Sequence, residues 1–279
     1  MVIKDLVKRP ILRALNAYLK WKREQKWSKQ ALQWRKTISF KETESISDTS
    51  KYLILAPHSD DEWIGCSQII SRCKNVVILN MDMPGGDSLE MHKDRYLEMH
   101  TLSKEYNKEL LTIGTNKTQS LKDYICTIRP DFICLPHFFD WHPEHIQVME
   151  YLRQALKMCE YKGKIIMYQV SLPLHPDFVN CIAPLDIKTF KQKWVTFKEV
   201  YRTQTFISYP RFMANERING ALADSYAAEV YSVNESRKWL HDFEFMLLSN
   251  EERNKVKLNL SDISIIRYMV ENFFIIRNL

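Results

Sequence analysis

Between residues 51 and 170 short apolar runs alternate with longer segments of helical periodicity. YLILAPH (52–58), NVVILNMD (75–82), ELLTIG (109–114), FICLPH (132–137) and KIIMYQV (164–170) are predicted as buried strands. The intervening GCSQIISRC, SLEMHKDRYLEMHTLSKEY, SLKDYICTIRP and HPEHIQVMEYLRQALKMC are predicted as helices. Strands that are apolar on both faces and alternate with helices predict an α/β fold, a mostly parallel sheet with helices on both faces. In such sheets ligands bind at the carboxyl ends of the strands. No glycine-rich loop follows the first strand, so a nucleotide cofactor is not expected.

The two ends of the chain read differently. MVIKDLVKRPILRALNAYLKWKREQKWSKQALQWRK is predicted as helix, broken or restarted at Pro10, with Ile11, Leu15, Tyr18 and Leu19 on one face. This predicts a helical arm over residues 1–45 in front of a domain over 46–279. In the C-terminal third, DIKTFKQKWVTFKEVYRTQ is predicted as a helix. SDISIIRYMVENFFIIRNL is another, a C-terminal helical extension with Ser261 as its N-cap and Ile265, Ile266, Met269, Val270, Phe273 and Phe274 as an apolar stripe. Docking of that stripe on the core is the plainer expectation and contact with another subunit the alternative.

With 45% hydrophobic and 27% charged residues the chain is a globular one, not a disordered one. No run is long and apolar enough to span a bilayer, and Arg13, Asn16 and Lys20 interrupt any signal-peptide core, so a cytosolic location is expected. The six cysteines form no CxxC pair and are expected to be reduced, buried and unrelated to metal. Net charge is +6, but residues 1–40 hold eleven Lys or Arg against Asp5 and Glu24, whereas the rest of the chain has more acidic than basic residues. The basic arm, with Trp21, Trp27 and Trp34, suits peripheral contact with an anionic membrane surface or a polyanionic carrier. The plainer reading is a helix packed on the body. No motif points to nucleic acid.

Chemistry concentrates in two places. LILAPHSDDEW ends the first strand in three consecutive carboxylates, Asp60, Asp61 and Glu62, whose mutual repulsion calls for a cation. FFDWHPEH, after the FICLPH strand, brings His142 and His145 to the same sheet edge. His58, Asp61 and His145 around one ion would leave a position open for water, the make-up of a catalytic site and not of a closed structural one. The same ligands serve zinc and iron(II). Asp60 is then free to act as general base, His142 to stabilise an oxyanion or protonate a leaving amine, and Asp140 to orient a histidine. Taken singly, His145 could be a solvated residue of a first helical turn and Asp60–Asp61 a helix cap. Together at two strand ends, the clusters favour the metal site.

APHSDDE followed by HPEH resembles the LmbE-like, or PIG-L, family of zinc-dependent N-acetylglucosamine deacetylases. The likeness runs from about residue 50 to 231. It takes in Arg95 and Glu98, PLDI at 184–187, Lys191 or Lys193, Gln204, and AAE at 227–229. The resemblance implies a Rossmann-like α/β sheet, zinc on His58, Asp61 and His145, Asp60 as base, His142 as oxyanion or proton-donor residue, and Arg95 facing substrate. Arg95 could equally be a helix-surface partner of Glu98. Three departures stand out: Glu144 replaces the commoner aspartate, NMDMPGGDS offers Asp87 as its nearest acid, and Gln169 stands where relatives often have glutamate. Asp87 and Gln169 are therefore the expected substrate-gripping positions.

The expected function is hydrolysis of an N-acetyl group on an amino sugar, free or as a nucleotide- or lipid-linked conjugate. The rivals are a phosphoesterase with two metal ions, which needs more ligands than can be placed, and a membrane-surface or partner-binding protein on a retired hydrolase fold. Presence of all five of His58, Asp60, Asp61, His142 and His145 argues against the second.

Overall fold

The computed structural model describes residues 11–19, 21–22, 25–26, 29, 32–33, 42–85, 88–204, 209–260 and 262–278. Five parallel strands, β1 (Lys51–Ala56), β2 (Asn75–Asn80), β3 (Glu109–Thr112), β4 (Phe132–Pro136) and β5 (Lys164–Tyr168), alternate with α1 (Asp61–Arg72), α2 (Leu89–Glu105), α3 (Lys117–Ile128) and α4 (Pro143–Lys157). Every predicted strand and helix of residues 51–170 is present, the strands ending a residue or two earlier than their apolar runs. Beyond β5 come β6 (Cys181–Leu185), α5 (Ile187–Val200), α6 (Tyr209–Asn219), β7 (Ala227–Glu235), α7 (Ser236–Met246), α8 (Asn250–Leu258) and α9 (Ile263–Asn278). The sheet order is β3-β2-β1-β4-β5-β7-β6, and β7 runs antiparallel to both its neighbours.

Side chains alternate across the sheet, so β1 divides its residues between two cores. Tyr52, Ile54 and Ala56 pack with α1, α2 and α5, through Ile69, Leu102 and Trp194 among others. Leu53 and Leu55 pack with α3, α4 and α7 through Leu121, Leu152 and Trp239. Ile266, Val270 and Phe273 of α9 join this second core, so the C-terminal extension docks on the body as expected, each buried side chain contributing about 1.5–3 kcal/mol. Ile265 of the predicted stripe is exposed. Ser261 lies outside the described residues, and Asp262 Oδ1 accepts from the backbone N–H groups of Ser264 and Ile265. Pro10 and the chain before it also lie outside the described residues. Two cysteines depart from expectation: Cys126 is exposed and Cys159 only half-buried, because both lie at helix C-terminal ends away from the sheet.

Strand order reverses between β1 and β4, and at such a switch point the loops leaving the two strands splay apart into a crevice. Helix α1 follows β1 after a short turn, residues 57–60, and lies close on the sheet. Gly65 makes this approach feasible: a Cβ there would run into the ring of Tyr168, whose hydroxyl donates to Leu55 O at 2.8 Å. Gly65→Ala must therefore displace either α1 or the Tyr168 ring. The expected outcome is a loss of about 1–3 kcal/mol in urea unfolding; an unchanged midpoint would show that the ring moves at no cost.

Candidate functional site

The turn from β1 into α1 carries the carboxylate cluster, and the structure gives each of the three a different fate. Asp61 Oδ2 accepts from the His58 backbone N–H at 2.9 Å, closing a tight turn. Glu62, fully buried, accepts from the Tyr201 hydroxyl at 2.7 Å and from the Asp60 N–H at 3.0 Å; burial pushes it up to about 7. Asp60 holds φ at 117°, a conformation an L-residue adopts at a cost of about 1–3 kcal/mol and one characteristic of functional sites. Its side chain caps no helix N–H. Burial, with Asp61 and Glu62 beside it, raises its pKa well above the usual carboxylate range. Two carboxylates about 4 Å apart repel by about 4 kcal/mol at an effective dielectric near 20, so this turn needs positive charge close by.

That charge comes from across the switch point. Pro143 opens α4, with His142 as its N-cap and His145 in its first turn, buried and not solvated. Three donor atoms converge here: His58 Nδ1 lies 3.3 Å from Asp61 Oδ2, His145 Nε2 lies 3.2 Å from the same oxygen, and the two ring nitrogens are 3.3 Å apart. A triangle of this size suits donors sharing one small divalent cation with tetrahedral preference. Behind it, each imidazole turns its second nitrogen to a carboxylate. His58 Nε2 bonds Glu144 Oε2 at 2.6 Å, and His145 Nδ1 faces Asp140 Oδ2 at 2.9 Å. Such backing fixes the tautomer that leaves the inner nitrogen as a lone-pair donor. Without a cation, burial opposes charge on both rings, but Asp61 and Glu144 raise His58, and Asp140 and Asp61 raise His145 further. Two imidazolium nitrogens 3.3 Å apart repel, so a cation between neutral rings is the better neutraliser.

His142 completes the group: His58, His142 and His145 offer ring nitrogens within 4.8 Å of one another. Its Nδ1 accepts from the Glu144 N–H at 3.4 Å, which puts the ring proton on Nε2. Burial, then the neighbouring His145 and His58, push it down to about 4, so at neutral pH it is an uncharged N–H donor. Asp140, wholly buried, accepts from the His142 N–H at 2.8 Å through its other oxygen. One aspartate thus braces both histidines of the second loop.

The proposed substrate positions separate. Arg95 lines a small cleft with His58, Ser59, Asn80, Asp82 and His92, beside the triad. Glu98, its alternative partner, gives both oxygens to Thr203, accepting from the backbone N–H and from the hydroxyl at 2.7 Å each. Asp87 lies outside the described residues. Gln169 Oε1 accepts from Leu174 N–H and Asn219 Nδ2 and so shapes the loop after β5. Periodicity and spacing did not indicate the acid at the end of β2: Asp82, with φ 47°, faces His92 at 3.5 Å across the cleft. The signal was an aspartate closing the apolar run 75–82. The bracing by Glu144 was equally hidden, because the motif shows its charge but not its reach.

The late motifs meet beneath the turn. Of the two lysines considered, Lys193 is the buried one; its Nζ donates to Ile64 O at 2.7 Å, to Glu229 at 2.5 Å and to Glu216. Glu229 also accepts from the Gln68 N–H and the hydroxyls of Ser67 and Tyr231. Gln204 Nε2 donates to Ser59 O at 3.0 Å.

Comparison with solved structures finds this fold in the conserved protein TT1542 from Thermus thermophilus, with a TM-score of 0.53 and 19% identity, covering 66% of this chain and 94% of that one. The chain also aligns with the A40926 pseudoaglycone deacetylase Dbv21 (TM-score 0.49, 13% identity, 67% and 98% covered). The zinc-inhibited form of the teicoplanin deacetylase Orf2 aligns with a TM-score of 0.48, 12% identity and 67% and 99% covered. No family model and no curated protein matches the chain.

Two outcomes follow from this geometry. Glu144→Gln removes the charge behind His58 and is expected to weaken zinc binding about 10–100-fold in calorimetric titration of the chelator-treated protein; unchanged affinity would mean His58 is held another way. Lys193→Met leaves Glu216 and Glu229 buried without their cation and is expected to cost about 3–5 kcal/mol in denaturant unfolding. A loss below about 1 kcal/mol would show that the two glutamates are neutralised by other means.

Proposed function

We propose that the chain is a metal-dependent deacetylase that hydrolyses the N-acetyl group of an N-acetylglucosamine-type amino sugar or conjugate. The observation that carries this reading is the convergence of His58 Nδ1, Asp61 Oδ2 and His145 Nε2 within 3.2–3.3 Å of one another, with a further buried carboxylate, Asp60, in the same turn. These three residues would hold the cation, zinc or iron(II). When bound, it supplies Lewis acidity, polarising the acetyl carbonyl and acidifying water.

The protein's own groups do the rest. Asp60 takes a proton from water, and the water oxygen adds to the acetyl carbon. His142, neutral and with its proton on Nε2, donates a hydrogen bond to the oxyanion that forms. As the C–N bond breaks, the proton held by Asp60 passes to the departing nitrogen, leaving acetate and a free amine. Arg95, in the cleft beside His58, is assigned to the sugar; Asp87 and Gln169 keep the substrate assignment on the strength of their positions in the motif pattern.

The reaction is tested by acetate release from a panel of N-acetylglucosamine conjugates, free, nucleotide-linked and lipid-linked, with added zinc or with chelator. Metal-dependent release from one of them is expected. Asp60→Asn should lower turnover at least about 10²–10⁴-fold while the metal content stays that of the unsubstituted protein. Turnover at the unsubstituted rate in that variant would remove Asp60 from the mechanism.

A further inference from the structure

Outside the site, the feature of the molecule with no internal explanation is its arm. The described residues between 11 and 33 are helical and exposed. Ile11, Leu12, Leu15, Tyr18 and Leu19 are 43–60% exposed, as is Trp21 at 55%, so the plainer expectation of packing on the body does not hold for these residues. Ile11, Leu15 and Tyr18 recur at helical spacing within residues 11–19, and Lys22, Lys26 and Lys29 follow at the same spacing in the sequence, ahead of the exposed Leu32. The order along the chain is therefore apolar for about two turns and then mainly basic. Tyr18 and Trp21, with ring centroids 6.0 Å apart, stand at the junction.

This order of residues selects the occupant. A second copy aligned in parallel would bring lysine rows together, and an antiparallel copy would set lysines on leucines; both leave charge or apolar surface unsatisfied. An anionic lipid surface takes both halves at once, acyl chains receiving the leucines, headgroup phosphates the lysines, and the interface the aromatic rings. No helix among the described residues is long and apolar enough to cross a membrane, so the arm would lie on the bilayer and not span it. We infer that the arm is an interfacial membrane anchor for anionic bilayers. This inference is independent of the reaction assigned to the site.

The test is flotation of the full chain with vesicles of phosphatidylcholine alone, or with about one third phosphatidylglycerol, at low and high salt. Binding is expected with the anionic vesicles only, and weakened by salt. Lys22→Gln with Lys26→Gln should lower partitioning at least about tenfold, since each charge contributes roughly fivefold. Leu15→Glu with Leu19→Glu should abolish it, with far-UV circular dichroism and thermal unfolding of the body unchanged. Three results overturn the inference: no binding, equal binding to neutral vesicles, or a Leu15→Glu/Leu19→Glu variant whose only change is from an assembly to a monomer in light scattering.

Discussion

Negative charge buried at a strand end sets the geometry of everything packed around it. Asp60, Asp61, Glu62 and Asp140 are all almost inaccessible to water, and Glu144 joins the group through His58. Such a group of carboxylates persists only if each is paired, protonated or shared with a cation. The structure gives these groups different partners. Glu62 is raised by burial and bonded to Tyr201, Asp140 and Glu144 back the imidazoles, and Asp61 meets two ring nitrogens at one point. Asp60 is left as the carboxylate with the least committed side chain, in the turn with the most strained backbone.

The remainder of the fold holds that turn still. Trp63 Nε1 donates to Lys193 O at 2.9 Å, Lys193 reaches back to Ile64 O, and Gln204 ties Ser59. Glu98 grips Thr203 and so steadies the segment that carries Gln204. Two distant segments, α5 through Lys193 and the chain after it through Gln204, thus hold the turn into α1 through buried polar contacts. A buried ion cluster is a weak source of net stability but a strong constraint on geometry, and geometry is what a site with donor atoms about 3.3 Å apart requires.

Parallel strands and their helices were legible because each is a long local signal: apolar runs of β-branched residues and 3.6-residue periodicity need no distant information. The antiparallel edge was not. β6, CIAPL, is short and contains Pro184, tolerated because it faces outward on an edge strand; β7, AAEVYSVNE, hides a buried glutamate inside its run. Both break the composition of a strand, and both are explained only by neighbours elsewhere in the sequence. Helix α6 was hidden for a related reason, its apolar face being interrupted by Asn215 and Glu216, which are buried by tertiary contacts.

The candidate site divides along the same line. From the sequence alone came the residue types, their position at the carboxyl ends of two predicted strands, and the surplus of negative charge in the first turn. All of these are properties of short stretches. Only the tertiary structure decided which atoms meet: His58 and His145 are 87 positions apart and come within 3.3 Å because β1 and β4 are neighbours at the switch point. It likewise decided that Glu144 bonds His58, that Lys193 and not Lys191 lies among the glutamates, and that the described arm residues are exposed. Sequence specifies what a residue can donate or accept. Distance, burial and the field of groups far along the chain determine whether it does, and these exist only once the chain has folded.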